Sequence, residues 1–213
     1  MREKTKAHIR YKGANGENVP GVTTILGILN KPALVKWANN LGLQGIDSSR
    51  YRDEMADIGT LAHYLIMCHL TGQTPDTADY SPNQLEMAEN ATLSYCEWEK
   101  GHDIEPILVE KALVSDQYGY GGTVDLYAAV DGVPTLVDFK TGKAIYPEML
   151  YQLAAYKQLL QEHGYELAQA RILRIGRDAD EGFEEKVVTG LERQWAIFNH
   201  CLGIYNLQKV IKK

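Results

Sequence analysis

Asp125, Asp138 and Lys140 are the residues whose types and spacing point most directly to chemistry. Asp138-Phe139-Lys140 places a carboxylate and an ammonium group on one face of an extended segment, because side chains two apart in a strand point the same way. Asp125 reaches them through a turn. Asp131-Gly132 separates two runs of β-formers, Thr123 to Val130 and Val133 to Phe139. Asp-Gly in that setting signals a two-residue hairpin turn, since both turn positions need positive φ. In that register Val130 faces Val133, and Asp125 faces Asp138 at a non-hydrogen-bonded position, where Cα atoms stand roughly 4.5 Å apart. Two facing carboxylates repel, and a divalent cation between them reverses the sign. A salt-bridged surface ladder of Asp138 and Lys140 is the bland alternative.

The hairpin also sorts its side chains. Asp125, Tyr127, Leu136, Asp138 and Lys140 share one face. Val124, Leu126, Ala128, Val130, Val133, Thr135, Val137 and Phe139 share the other, an almost wholly apolar set suited to a core. Pro134 falls opposite Ala129 at a non-bonded pair, where its missing N–H costs this hairpin nothing.

Helices must surround this unit. Residues 1 to 20 suggest an arm or short hairpin turning at Gly13 to Gly16. Short helical stretches follow at Thr24 to Asn30 and, after Lys31-Pro32, at Ala33 to Leu41, with Leu34, Trp37, Ala38 and Leu41 at helical spacing. Arg50 to Leu70 carries an apolar stripe of Met55, Ile58, Leu61, Ala62, Leu65 and Ile66. Beside it, Ala56, Gly59, Thr60, His63 and Met67 form a small-residue face that another backbone can approach. Ser81-Pro82 opens a helix running to about Lys100, with Leu85, Ala88, Ala91, Leu93, Tyr95 and Trp98 at its core positions. The period then changes. Ile107 to Ser115 is a strand containing Glu110, and the hairpin follows. Pro147 to Glu162 is a helix stopped by Gly164. Ala170 to Ile175 and Phe183 to Val188 are strands, and Leu191 to Ile211 closes with a helix built on Trp195, Phe198, Leu202 and Tyr205. The order, helices and then β-β-β-α-β-β-α, implies an α/β fold with a central mixed sheet and a right-handed β-α-β crossover. We expect a single domain over 1–213, mainly helical to about 105 and carrying the sheet from 106 onward.

Composition limits the function classes. The chain has 213 residues, 45% hydrophobic content, and neither a membrane-length apolar run nor a leader pattern at its start. These features suggest a cytoplasmic protein. Cys68, Cys96 and Cys201 are scattered without C-x-x-C spacing, so by spacing neither a disulfide framework nor a zinc or iron–sulfur site is expected. A net charge of −6 argues against a passive nucleic-acid binder. The charge is nevertheless uneven: Arg2, Lys4, Lys6, Arg10 and Lys12 stand against Glu3 alone, and Lys209, Lys212 and Lys213 make a basic end. Solvated termini explain both patches equally well. No G-x-x-x-x-G-K-[ST] phosphate loop occurs.

Further residues could join the hairpin set. Thr141-Gly142-Lys143 at the strand end lets backbone N–H groups approach an anion, or is a plain turn. Gln152 and Tyr156, four apart, share a helix face, although a core tyrosine beside a surface glutamine reads the same way. His63 offers an imidazole for metal or phosphate, or is a structural helix histidine. Glu110 offers a third carboxylate, or faces solvent.

Taken in order, these elements resemble a known series. Gly122-Thr-Val-Asp125, Asp138-Phe-Lys140 and Gln152-Leu-Ala-Ala-Tyr156 are similar to the G-x-x-D, (D/E)-x-K and Q-x-x-x-Y motifs of RecB-type nucleases in the PD-(D/E)XK superfamily. Gly59-Thr-Leu-Ala-His63 resembles the upstream G-x-x-x-H element. Val22-Thr-Thr-Ile-Leu with Leu34-Val-Lys-Trp37 is similar to the opening segment of phage and mitochondrial genome-maintenance exonucleases. The resemblance covers about residues 20 to 160. It implies a restriction-endonuclease-like core with Mg²⁺ or Mn²⁺ held by Asp125, Asp138, His63, the Phe139 carbonyl and, more loosely, Glu110. It implies that Lys140 acts on the attacking water, with Gln152 and Tyr156 in support. Thr141, Lys143, Arg2, Lys4 and Lys6 become expected nucleic-acid contacts. Several relatives carry four cysteines for an iron–sulfur cluster, and this chain lacks them. The implied activity is exonucleolytic cleavage of DNA, on single strands or duplex ends, in phage or prophage recombination, replication or repair, with a recombination or replication protein as a further expected partner. A catalytically silent member that binds DNA ends is the alternative. It sits poorly with an intact and mutually repulsive Asp-Asp-Lys set.

Overall fold

The structure is a computed structural model that describes residues 9–211. The arm residues Arg2, Lys4 and Lys6 lie outside the described residues, as do Lys212 and Lys213. The elements in chain order are β1 (Tyr11–Lys12), β2 (Asn18–Val19), α1 (Val22–Leu26), α2 (Pro32–Leu43), α3 (Ser48–Thr71), α4 (Pro82–Glu99), β3 (Ile104–Ser115), β4 (Tyr120–Val130), β5 (Val133–Lys140), α5 (Pro147–Glu162), β6 (Gln169–Ile175), β7 (Phe183–Val188) and α6 (Glu192–Ile211). Strands β3 to β7 form one sheet in sequence order. Pairing is antiparallel except between β5 and β6, which run parallel across the α5 connection. The expected mixed sheet flanked by helices is what the chain adopts.

Local chemistry explains the main boundaries. The Asp47 carboxylate accepts from the Ser49 and Arg50 backbone N–H groups and caps α3, which ends at Gly72 in a left-handed conformation (φ 67°). Ser81 and Gln84 form a reciprocal capping box at the start of α4, with Pro82 in the first turn. The Asp131-Gly132 turn has positive φ at both residues, 53° and 77°. Its register is the expected one: Val130 pairs with Val133, Ala129 with Pro134 and Leu126 with Val137.

Helices cover both faces of the sheet. On one, α1, α5 and α6 bring Ile25, Leu153, Leu159 and Phe198 against Tyr127, Leu136 and Ile172. On the other, α3 and α4 bring Ile58, Leu61, Ile66 and Tyr95 against Leu126, Val137, Phe139 and Leu173. Strict alternation fails in the middle of β4. Val124 packs with the α5/α6 core and not, as expected, on the face of Leu126. The reason lies next door in β3. Glu110 has φ 46°, a left-handed conformation that costs a non-glycine residue about 1–3 kcal/mol. The ladder records Lys111 with Val124 and Val109 with Leu126, but no pair between Glu110 and Asp125. Both strands change face there, so Leu108 and Leu113 also reach the same core.

Two helices depart from expectation. Helix α2 buries none of its residues, and its Leu34 and Val35 are 54% and 71% exposed. It is attached through the Lys31–Glu148 ion pair (2.8 Å) and the Trp37–Tyr51 ring contact. Leu93 on α4 is exposed, because α3 and the sheet are met by the Ala88, Ala91, Tyr95 and Trp98 side.

Candidate active site

The site forms where β3 and β4 change face, beside the end of β5. Asp125 divides its carboxylate between two partners. Oδ2 accepts the Phe139 backbone N–H at 2.9 Å, and Oδ1 lies 3.6 Å from His63 Nδ1. The hairpin ladder ends at Leu126–Val137, one position short of the expected Asp125–Asp138 pair. The Asp125 side chain meets the β5 backbone in place of the next rung.

His63 arrives from α3 on its small-residue face. Its ring stands edge-on to Phe139, with centroids 5.8 Å apart. Nδ1 is 3.4 Å from Glu110 Oε1, and the donor atoms of His63, Glu110 and Asp125 all lie within 4.8 Å of one another. The left-handed backbone of Glu110 therefore sits at the residue that adds the second carboxylate to this group.

Asp138 is fully buried, and among the described residues neither of its oxygens has a well-aligned hydrogen-bond partner. Lys140 Nζ approaches Oδ2 to 2.5 Å as an ion pair. A buried carboxylate without satisfied lone pairs is costly unless something else meets it. Two carboxylates, Glu110 and Asp125, and the His63 imidazole form the donor group, with Asp138 as a third carboxylate outside it, and this oxygen-rich set matches Mg²⁺ or Mn²⁺.

The electrostatics agree with the geometry. Burial pulls the His63 pKa down, but the Asp125 and Glu110 carboxylates outweigh it and push it up to about 10. Burial raises Asp138 to about 6 against the pull of Lys140, and the Asp125 charge adds to the rise. Burial also raises Glu110, opposed by its hydrogen bond to His63. Asp125 is lowered despite its burial, by His63, by Lys140 and by the Phe139 N–H. Lys140 is raised: desolvation is outweighed by Asp138 and Asp125.

Gln152 and Tyr156 sit together on α5. Gln152 Nε2 donates to the Tyr156 hydroxyl at 2.7 Å. Burial, then the Asp125 and Asp138 charges, push the Tyr156 phenol well above its usual range. Gly122 makes this approach possible: a β-carbon there would stand 2.5 Å from the Tyr156 ring. The two motif residues are thus a physical pair, a missing side chain and the ring that fills its space.

Gly121, the preceding glycine, does the same for a residue that sequence reasoning missed. The Tyr11 side chain lies over it, 2.3 Å from where a β-carbon would be, and its hydroxyl is 3.0 Å from Thr123 Oγ1. Burial, Glu110 and Asp125 raise its pKa, with Thr123 opposing. The Gly121-Gly122 doublet was the available signal, since adjacent glycines in a strand mark close approach on both faces.

Thr141 lies beside α3, with Oγ1 2.8 Å from where a β-carbon on Gly59 would be. Gly142 follows with φ 133°, and its carbonyl receives a long contact from Arg174 Nη1 (3.4 Å). Lys143 is exposed and lies close enough to Glu181 to help lower its pKa, behind the dominant Arg177 bond. The structure therefore brings His63, Glu110 and Asp125 together, pairs Asp138 with Lys140, and pairs Gln152 with Tyr156. The Phe139 backbone N–H contacts the Asp125 carboxylate.

No family model matches the sequence, and no curated protein is similar to it in sequence. Solved structures are more informative. A candidate exonuclease from Eubacterium rectale aligns with a TM-score of 0.51 and 12% identity, over 75% of this chain and 66% of that one. The Laribacter hongkongensis alkaline exonuclease LHK-Exo, in a complex with dAMP, aligns at 0.45 and 11%, over 75% and 86%. A phage-related exonuclease from Haemophilus somnus 129PT aligns at 0.42 and 11%, over 96% and 97%. At these identities the likeness speaks to architecture, and the first alignment carries it: the chain has an α/β nuclease-like fold, a five-stranded mixed sheet flanked by helices.

Proposed function

We propose that this protein is a metal-dependent nuclease that hydrolyses DNA phosphodiesters, acting as an exonuclease on single strands or duplex ends. The observation that carries the reading is Asp138, a buried carboxylate met among the described residues by the Lys140 ammonium alone, beside a His63–Glu110–Asp125 donor cluster. The exonuclease structures that share the fold support it, as does the motif series Gly122-x-x-Asp125, Asp138-x-Lys140 and Gln152-x-x-x-Tyr156.

His63, Glu110, Asp125 and Asp138 would hold Mg²⁺ or Mn²⁺, with the Phe139 carbonyl as a further oxygen. Such an ion, when bound, polarises the phosphoryl group and makes water nucleophilic at neutral pH. The side chains do the rest. Lys140, kept protonated by Asp138 and Asp125, donates to the attacking water or to the charge developing on the phosphoryl oxygen. The Phe139 N–H fixes Asp125, so that its other oxygen faces His63. Gln152 holds the Tyr156 hydroxyl, and that pair supports the acidic group and the strand from the α5 side. Thr141 and Lys143 contact the phosphate backbone at the end of β5; Arg2, Lys4 and Lys6 are proposed as further DNA contacts on their charge alone. The setting is phage or prophage recombination, replication or repair.

End-labelled linear DNA and covalently closed circles, incubated with Mg²⁺, Mn²⁺ or EDTA, test the reading. We expect metal-dependent release from the ends of linear DNA, circles left intact, and loss of cleavage in Asp138→Ala. Binding of ends without cleavage in either metal would replace the enzyme with a silent end-binding protein. Cleavage that survives Asp138→Ala would place the chemistry elsewhere.

A further inference from the structure

A second group of metal-ligating side chains lies on the outer helical layer. His69 comes from the last turn of α3; Cys96 and Glu99 come from the last turn of α4, three apart and hence on one helix face. The His69 ring nitrogen, the Cys96 sulfur and a Glu99 oxygen all lie within 4.8 Å of one another. We propose that these three residues form a zinc site that clasps α3 to α4. The assignment is independent of the nuclease reading.

The donor types select the ion. A thiolate and an imidazole with one carboxylate are soft and borderline ligands that favour zinc, whereas the His63 group is dominated by carboxylates and favours Mg²⁺ or Mn²⁺. Three protein ligands leave a fourth tetrahedral position to water. The ligands are already oriented. Tyr95, fully buried, donates its hydroxyl to Glu99 Oε1 at 2.9 Å, which leaves Oε2 facing His69 Nε2 at 2.6 Å. The His69 ring also stands edge-on to Tyr95, 6.1 Å between centroids. A carboxylate fixed by an outer hydrogen bond and an imidazole fixed by an aromatic neighbour are the supports a metal site needs. The nearby ammonium of Lys100 is held by Glu97 at 2.5 Å. Without metal, the His69–Glu99 bond closes the group on itself. Zinc binding at Nε2 moves the proton between them to the other ring nitrogen, leaving a neutral imidazole ligand, and releases the Cys96 thiol proton to solvent. A clasp there would steady α3 about 9 Å along the helix from His63.

Cobalt substitution gives a direct reading. The full-length protein is stripped with chelator and titrated with Co²⁺. Wild type is expected to develop the visible bands of tetrahedral cobalt together with a near-ultraviolet sulfur-to-cobalt charge-transfer band, both removed by added Zn²⁺. Asp125→Asn, with the other metal-ligating group disabled, should keep the sulfur band. Cys96→Ser should lose it, and Glu99→Gln should weaken cobalt affinity at least tenfold. Zn²⁺ at a hundredfold excess over its Kd should raise the wild-type Tm by roughly 5–10 °C and leave Cys96→Ser unmoved. A cobalt spectrum without a sulfur component would overturn the site. So would a sulfur band that persists in Cys96→Ser, since Cys68 and Cys201 would then be its source. If Cys96→Ser does not fold, unchanged cobalt affinity in Glu99→Gln overturns it equally.

Discussion

His63 and His69 lie on the same helix, six residues apart, and face different chemistries. His63 points to the sheet and meets Glu110 and Asp125. His69 points along the outer layer and meets Glu99, with Cys96 alongside. Helix α3 supplies the same imidazole twice, and its partners decide what each can hold. The inner partners are hard carboxylates on strands, fixed by a strained backbone and a buried ladder end. The outer partners stand on a neighbouring helix in partial contact with water. Replacing each histidine therefore separates the proposed catalytic centre from the proposed zinc clasp.

The largest contrast should be in activity. His63→Ala is expected to lower metal-dependent DNA cleavage by about 10²–10³-fold, the scale of losing one group that stabilises or positions transition-state charge. His69→Ala should stay within about twofold of wild type. Cleavage rates on end-labelled DNA at saturating Mn²⁺ measure both, and equal losses would erase the distinction drawn between the two sites.

The next contrast is in pH. Metal binding to the inner group must displace protons. Burial raises Asp138 to about 6. His63, lowered by burial but raised further by Asp125 and Glu110, holds its proton to about 10. Mn²⁺ affinity should therefore rise with pH between these values, by about tenfold per unit while one proton is displaced. Calorimetric titration across a pH series checks the slope. A flat profile would mean that His63 does not ligate the ion.

Stability should separate the two groups less. Glu110→Gly removes a left-handed glutamate worth about 1–3 kcal/mol of strain, offset by about 0.5–1 kcal/mol of extra unfolded-chain entropy. Denaturant unfolding is expected to show stability unchanged or raised, while cleavage falls. A clear loss of stability would show that Glu110 is held there by its contacts and not in spite of its backbone. In the outer group, Glu99→Gln in metal-free protein should cost no more than about 1 kcal/mol, because the His69 side is open to solvent. A larger drop in Tm would make the His69–Glu99 bond a main support of the α3–α4 contact.

The parts of this architecture that were legible in sequence are those governed by local rules. The Asp131-Gly132 turn set the register of β4 and β5 through five pairs. Ser81-Pro82 marked the start of α4, and the apolar period of Pro147 to Glu162 marked α5 to the residue. The contacts of Asp125 with His63, Asp138 with Lys140 and Gln152 with Tyr156 join residues that the motif series had already picked out. The failures come from non-local causes. Alternation placed Val124 with Leu126, but the irregularity at Glu110 turns both strands over, and no residue type announces a left-handed glutamate. Helical spacing gave α2 an inner face, yet spacing alone does not supply a surface to bury it against. Tyr11 reaches the site from more than a hundred residues away in sequence, through an arm whose partner glycines carry the only local trace of it.

Glu110 also bears on how this protein can change. A residue that spends folding free energy on an unfavourable backbone is where selection for robustness and selection for chemistry part company. In a library screened only for thermal tolerance, position 110 should be among the first to drift toward glycine or asparagine. Screened for cleavage, it should stay fixed, and compensating gains should appear elsewhere, with the exposed apolar positions of α2 the least constrained place to find them.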